Sequence, residues 1–510
     1  MTLTRRATLL GGAASALGAG VAIHGSASAA LPTVPAVFIS PHQDDELLSL
    51  GAAIMEHVAL GRDVRVLLIG RGNKSSVRTS TTAVVRDLGC WAPGLPLVGR
   101  VAVGRGAATT EHVVLVWDIN KTVVAAGVSV EVASWSEEFA ALIDRIASRF
   151  ARYEPLRHAA SLIFGLLSGV ERKNCWTLAE HRGHSSPDAL QHLLSRAKWD
   201  AEEVRDDLRG YVVDNLGDPN AVLVVDETGD LKKGTATVGV QRQYTGTAGR
   251  IENAQVAVYL TYAAPAGHAF IDRALYLPAG WAGDPQRRAG AKIPPEVTFA
   301  TKPALAGQMI TRAVRGGAPA RWVAGDEVYG ADPELRRTLR ALRLGYVMQI
   351  AANRRVPVHA GPTRVEVLAR SIPPRAWQIR SAGPGSKGQR WYSWAWIDLR
   401  PEDPDETGHH WLLIRRNDTT GELAYHRCYS PHPETLAALV AVAGQRWRIE
   451  ESFQAAKTLV GLDQHQVRTW ISWHRWTVLA MLAHAFLTVT TASERVRNPA
   501  PPGLTSIVHG

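Results

Sequence analysis

AVLVVDET, Ala221–Thr228, is a run of five apolar residues that ends on a carboxylate, Asp226. So short an apolar run, stopped by charge, reads as a strand delivering an acid to its carboxyl end. Working outward, TATVGVQRQYTG (Thr235–Gly246) and AQVAVYLTYA (Ala254–Ala263) are two further β runs. A helix around Pro303–Val314 follows, then the strand ARWVAGDEVYG (Ala320–Gly330), the helix DPELRRTLRALRLG (Asp332–Gly345) and the strand YVMQIAAN (Tyr346–Asn353). Three strands followed by alternating helix and strand predict a mixed α/β sheet.

Asp326 ends its strand as Asp226 ends the first, and Glu450 and Glu451 open the helical stretch QRWRIEESFQAAK, Gln445–Lys457. Each acid alone reads as a solvated strand-end or helix residue. Together, carboxylates from two strand ends and one helix can converge on a pair of Mg²⁺ ions, hard cations that take oxygen ligands and keep positions open for phosphate.

The segments around this core have their own textures. From Ala133 to about Tyr211 the chain is helical. WSEEFAALIDRIASRFARYEP places Phe139, Leu142, Ile143, Ile146 and Phe150 on one face, with Pro155 as the expected stop. ERKNCWTLAEHRGHSSPDALQHLLSRAKWD then predicts two helices joined at Gly183, the second capped by Ser185 and Asp188. With Arg172, Lys173, Arg182, Arg196 and Lys198 nearby, this pair reads either as a plain helical hairpin or as one that presents a helix to DNA. Arg354 to about Tyr429 is β-rich, and its Trp391, Trp394 and Trp396 are either one core face of a strand or a stacking surface for an unpaired base. Helices return at Pro433 and run almost to the end.

The chain of 510 residues is long enough for several domains, and its net charge of +10 favours a polyanionic partner such as nucleic acid. Three cysteines, Cys90, Cys175 and Cys428, lack metal or disulfide spacing, which fits a reducing compartment. The first residues point elsewhere: Arg5 and Arg6, a short apolar run and an A-x-A site at Ala27–Ala29 resemble a twin-arginine export signal. No later segment reads as long and uncharged enough to span a membrane.

ERKNCWTLAE, VVDETGDLKKG, VGVQRQYTGTAGRIENAQVAVYL, VAGDEVYG, QRWRIEESFQAAK and GLDQHQVRTWISWHRWTVLAMLAHAFL occur in the order expected of an insertion-sequence transposase of the DDE class. From about Ser134 to Ala492 the chain resembles that family. The resemblance implies a ribonuclease-H-like catalytic core, with Asp226, Asp326 and Glu450 as catalytic metal ligands for two Mg²⁺, which Mn²⁺ can replace. The signature Y-x2-R-x3-E-x6-K is matched by Arg446, Glu450 and Lys457 and selects Glu450 over Glu451, while Ala443 stands at the tyrosine position. Arg446, Trp447, Arg448 and Lys457 are the implied DNA-binding residues. Arg446 and Lys457, at −4 and +7 from Glu450, share its helix face. DNA, as terminal inverted repeats and target, is the implied partner, held by a homodimer with no membrane involved.

One further stretch, VFISPHQDDELLSLG (Val37–Gly51), runs a strand into a loop of histidine and acids and resembles the metal motif of PIG-L type N-acetylglucosaminyl deacetylases. There His42 and Asp45 would bind Zn²⁺ and Asp44 would act as general base. The third zinc ligand has no clear counterpart, since His181 and His184 fall in the transposase-like helices.

The expected organisation is therefore α/β: a leader (1–30), a short Rossmann-like deacetylase fragment (31–78), an irregular junction (79–132) and a helical DNA-binding region (133–215). The ribonuclease-H-like mixed sheet (216–353), a β-rich insertion (354–432), helices carrying the glutamate (433–492) and a tail (493–510) follow. The expected function is metal-dependent cleavage and strand transfer of DNA ends in the cytoplasm, with the leader and zinc motif as relics of an interrupted deacetylase gene. The alternatives are an exported zinc deacetylase and an inactive fusion product.

Overall fold

The computed structural model describes residues 132–497 apart from 386–387 and 403–404, with side chains from Trp135 onward, and upstream of these the backbone of six strands. Those strands are β1 (Ala36–Ser40), β2 (Val64–Arg71), β3 (Ala83–Gly89), β4 (Leu97–Arg105), β5 (Ala108–Val116) and β6 (Val123–Val128). They form one sheet in the order β3-β4-β5-β1-β2-β6, with β1 and β2 parallel. The parallel pair is the one expected of a βαβ fragment; the helix expected between them, and the leader, lie outside the described residues. The stretch expected to be an irregular junction instead carries β3 to β6. Its valines and threonines favour strands without needing a clean alternation.

The chain divides into two compact units, one of residues 1–193, 457–465 and 486–498, the other of 194–456, 466–485 and 499–510. In the first, α1 (Val132–Ala147), α2 (Tyr153–Leu167) and α3 (Cys175–His181) pack through an apolar core. Phe139 makes edge-to-face contacts with Phe164 and Phe486, and buried Trp135 donates to Glu494 at 2.9 Å. Pro155, expected to stop a helix, lies in the first turn of α2, where a missing N–H costs nothing. Asn174 caps α3 in a reciprocal capping box with Thr177, and Gly183 takes a left-handed φ of 72° before α4 (Asp188–Ser195). Ser186, not Ser185, is the serine that meets Asp188.

Lys173 also departs from expectation. It is buried, and its Nζ donates to the carbonyls of Leu166 at 2.7 Å and of Leu459. Burial pulls this ammonium down to about 7.

The second unit opens with α5 (Ala201–Leu216) and is built on a ten-stranded mixed sheet. Its strands are β7 (Val222–Leu231), β8 (Gln241–Thr245), β9 (Arg250–Ala264), β10 (Gly267–Leu275), β11 (Trp322–Gly325), β12 (Gly345–Ile350), β15 (Gln378–Gly385), β16 (Gly388–Asp398), β17 (His409–Arg416) and β18 (Leu423–Ser430). A small hairpin, β13 (Arg355–Val358) and β14 (Gly361–Arg364), stands apart. The order is β10-β9-β7-β11-β12-β18-β17-β16-β15, with β8 beside β9. The stretch expected to be an insertion thus continues the same sheet, because β18 pairs antiparallel with β12. Helix α6 (Lys302–Arg315) connects β10 to β11, and α7 (Glu327–Gly330) with α8 (Pro333–Ala341) connects β11 to β12. Then α9 (Leu436–Gln445) and α10 (Trp447–Val460) follow almost without a break, and α11 (Trp470–Arg497) ends the described chain.

The tryptophans of β16 divide: Trp391 is 58% exposed, Trp394 is buried, and Trp396 stacks on Trp411 at 5.8 Å. The core-face reading thus holds for Trp394, while Trp391 is exposed. Contrary to expectation, α11 is long and apolar enough to cross a membrane, but 89% of its apolar stretch is buried, as in a core helix.

Candidate active site

Parallel pairing of β7 with β11 ends with Val225 opposite Gly325, so the next residues, Asp226 and Asp326, stand side by side; β11 stops there, but β7 runs on to Leu231 against β9, so Asp226 lies within its strand and not at the strand end the sequence suggests. Neighbouring strands lie about 4.8 Å apart, which crowds the two carboxylates at the carboxyl edge of the sheet. Asp226 accepts from the Glu227 N–H at 2.8 Å, and Asp326 caps α7 by accepting from the Val328 N–H at 2.9 Å. Gly330 ends α7 because a Cβ there would stand 2.0 Å from the Gln349 carbonyl oxygen.

Burial, then the charges of Asp326 and Glu227, raise Asp226 to about 7 against the opposing pull of Arg446. Burial and Glu227 raise Asp326 as well. Glu227 is the residue that reasoning from the sequence missed. Lys302 Nζ donates to it at 2.6 Å and Tyr329 Oη at 2.6 Å, so it ties α6 and α7 to the acidic edge. Its signal was the doubled acid after both apolar runs, Asp226–Glu227 and Asp326–Glu327.

Glu450 lies in the first turn of α10 and is joined to the pair through Arg446. Arg446 Nη2 donates to Glu450 at 2.7 Å, and its Nη1 stands 3.6 Å from Asp226 Oδ2. Arg446 thus meets acids, the alternative to a phosphate contact that its place beside Glu450 leaves open. Arg448 pairs with Glu451 at 2.8 Å, Trp447 is 38% exposed with Arg390 over its ring at 6.0 Å, and Lys457 lies in the last turn of α10. His42, Asp44 and Asp45 lie outside the described residues.

The donor set is wholly carboxylate oxygen and partly stripped of water, a chemistry that fits hard divalent cations. Mutually repelling acids are what such an ion relieves. Among the described residues no three His, Cys, Asp or Glu side chains are gathered closely enough to hold an ion as they stand. Asp226 and Asp326 adjoin, whereas Glu450 is held beside Asp226 by the intervening guanidinium.

Residues 146–387 match the family model of the DDE superfamily endonucleases, and residues 304–486 match that of the transposase DDE domain. Together the two matches run from residue 146 to residue 486, a stretch similar to the DDE transposases. Over 262 residues the chain is 30% identical to the probable transposase for insertion sequence element IS701 of Microchaete diplosiphon, covering 48% of this chain and 63% of that protein. The match therefore spans less than two thirds of that relative's length. Residues 37–91 match the GlcNAc-PI de-N-acetylase model, upstream of the DDE region and including the positions of His42, Asp44 and Asp45.

Proposed function

We propose that the DDE region cleaves insertion-sequence DNA at its ends and joins them to target DNA, using Asp226, Asp326 and Glu450 on a ribonuclease-H-like core. The observation that carries this reading is the adjacency of Asp226 and Asp326 just past the last pair of the parallel β7–β11 ladder, with Glu450 one guanidinium away. The three acids would hold Mg²⁺, or Mn²⁺ in its place, and the metal pair would supply charge for the attacking and leaving oxygens of an in-line displacement. Glu227, fixed by Lys302 and Tyr329, orients the two strand ends. Lys457 and Arg448 neutralise backbone phosphate and hold the strand in register, a positioning role without base readout. Trp447, partly exposed beside them, offers an apolar face to the sugar and base.

Terminal-repeat DNA is the substrate in this reading, two copies of the chain bring the ends together, and the work is done in the cytoplasm. The helical stretch 133–215 contributes to end binding, and the leader (1–30) and deacetylase-like segment (31–78) are remnants. N-terminal sequencing of the cellular protein tests the location; a mature chain beginning at Ala30 outside the membrane overturns it.

The test of the chemistry is nicking of a duplex bearing the element's ends with Mg²⁺ or Mn²⁺. Asp226→Asn, Asp326→Asn and Glu450→Gln should each abolish nicking and keep end binding; full nicking by the Asp326→Asn protein overturns the assignment. The match of residues 37–91 supports a second reading, a Zn²⁺ deacetylase using His42, Asp44 and Asp45. Acetate released from an N-acetylglucosaminyl substrate with Zn²⁺, and lost on His42→Ala, would favour that reading over an inert remnant.

A further inference from the structure

A cavity of about 490 Å³ opens beside the acidic edge, and Arg446 lines it together with Arg390, Arg415, Tyr392, Trp447 and His426. The guanidinium that spans Asp226 and Glu450 therefore also borders a second, basic space. Glu422, the acid on its wall, pairs loosely with Arg415 at 3.8 Å and is itself 67% exposed. Burial first, and then the charges of Arg448 and Arg415, pull Arg390 below its usual range despite the opposing influence of Tyr392 and Glu451. Burial, with Arg415 and Arg446, pulls His426 down to about 3, so its ring is neutral. One buried donor on this wall, Arg415 Nε, has no hydrogen-bond partner in the protein. Buried donors of this kind normally find partners, and guanidiniums gathered around a space are built for a phosphate oxyanion.

Arg446 cannot serve both neighbours fully. While it bridges Asp226 and Glu450 it supplies positive charge where a divalent ion would sit, and the two cations compete for the same oxygens. A phosphate in the cavity offers Arg446 another partner and frees those oxygens.

We propose that the Arg390–Arg415–Arg446 cavity takes a backbone phosphate of the DNA strand, and that Arg446 is exchanged from the carboxylates to this phosphate, so that DNA and divalent metal bind cooperatively. The inference rests on the metal-site reading above and adds an order to it: the acids become fully available once the strand is in place. By linkage, metal must tighten DNA binding by the same factor.

The test is Mn²⁺ binding to the full chain by calorimetry, with and without a terminal-repeat duplex, folding being checked by circular dichroism. For the wild type, DNA should tighten Mn²⁺ binding about fivefold or more. Arg446→Ala should bind Mn²⁺ more tightly than wild type without DNA and lose the DNA effect. Arg415→Gln should leave Mn²⁺ affinity without DNA unchanged and weaken only the enhancement. Equal Mn²⁺ affinities for wild type and Arg446→Ala, in the absence of DNA, overturn the exchange while leaving the metal site standing. No Mn²⁺ binding to the wild type with or without DNA, in a folded protein, overturns the metal-site reading itself. Enhancement by inorganic phosphate alone, equal to that by the duplex, overturns the assignment of the cavity to a nucleic-acid strand.

Discussion

Replacing Asp272 by asparagine should destabilise the second unit although it changes neither the shape nor the size of the side chain. Asp272 lies on β10 beside a register shift against β9 and is fully buried. Its Oδ2 accepts from Arg312 Nε on α6 at 2.9 Å, its Oδ1 stands 3.8 Å from Arg205 Nε on α5, and Oδ1 also accepts from the Arg273 N–H at 2.8 Å. One carboxylate thus joins two helices to a strand. Removing one partner of a buried ion pair costs about 3–5 kcal/mol, because the other charge stays buried without compensation. Two features place the expected value at the lower end: Arg205 keeps Glu202 and Asp206, and Arg312 is 36% exposed and can turn to water. About 3 kcal/mol corresponds to roughly 1 M in urea midpoint for an m-value near 3 kcal/mol/M. Urea titration followed by tryptophan fluorescence and far-ultraviolet circular dichroism measures it. In the Asp272→Asn/Arg312→Met double variant much of the loss should return, since the orphaned cation is gone. A midpoint for Asp272→Asn within about 0.2 M of wild type, or strictly additive effects in the double variant, would refute the reasoning.

Two more predictions concern lysines. Lys173, held at about 7 by burial against an ordinary value of 10.5, is neutral in the folded unit and protonated in the unfolded chain between those limits, so stability should rise as pH goes from 7 towards 10. Thermal melts across that range check it; a slope that persists in Lys173→Met would assign the effect elsewhere. Lys457→Ala should weaken binding to all duplex sequences alike and reduce the salt slope by about one. Filter binding against salt concentration measures this, and an unchanged slope removes Lys457 from the phosphate contacts.

The strand that carries Asp226 was legible because five apolar residues in a row followed by acids admit few local alternatives, but its end was not, since pairing with β9 extends β7 to Leu231. The strand before Asp326 and the helices Lys302–Arg315 and Pro333–Ala341 were legible for the same reason: apolar periodicity agrees with what the surrounding structure demands. Features that depend on a distant partner were not. Lys173 reads as one more surface cation until the Leu166 and Leu459 carbonyls, far apart in sequence, meet its Nζ. Trp391 and Trp394 lie three residues apart on one strand, an odd spacing that puts them on opposite faces, and which face is buried was set by the packing around β16. Pro155 was read as a helix stop because proline both ends and begins helices, and the choice turned on the new helix that starts at Tyr153.

The doubled acids carry the argument furthest. Where β7 and β11 cease to pair, each is followed by an aspartate and a glutamate, Asp226–Glu227 within β7 and Asp326–Glu327 just after β11, although one polar residue would suffice to mark that edge. The chain holds Asp226 to about 7 by burying it among like charges, at a cost to the fold that an asparagine would remove. Among the described residues the compensating cation within 4 Å of Asp226 is Arg446, which is shared with Glu450 and borders the basic cavity. Folding alone explains neither the crowding nor the sharing. A site that must release its own cation to receive another explains both, because acids fully satisfied by fixed arginines would have no oxygens left to offer a metal.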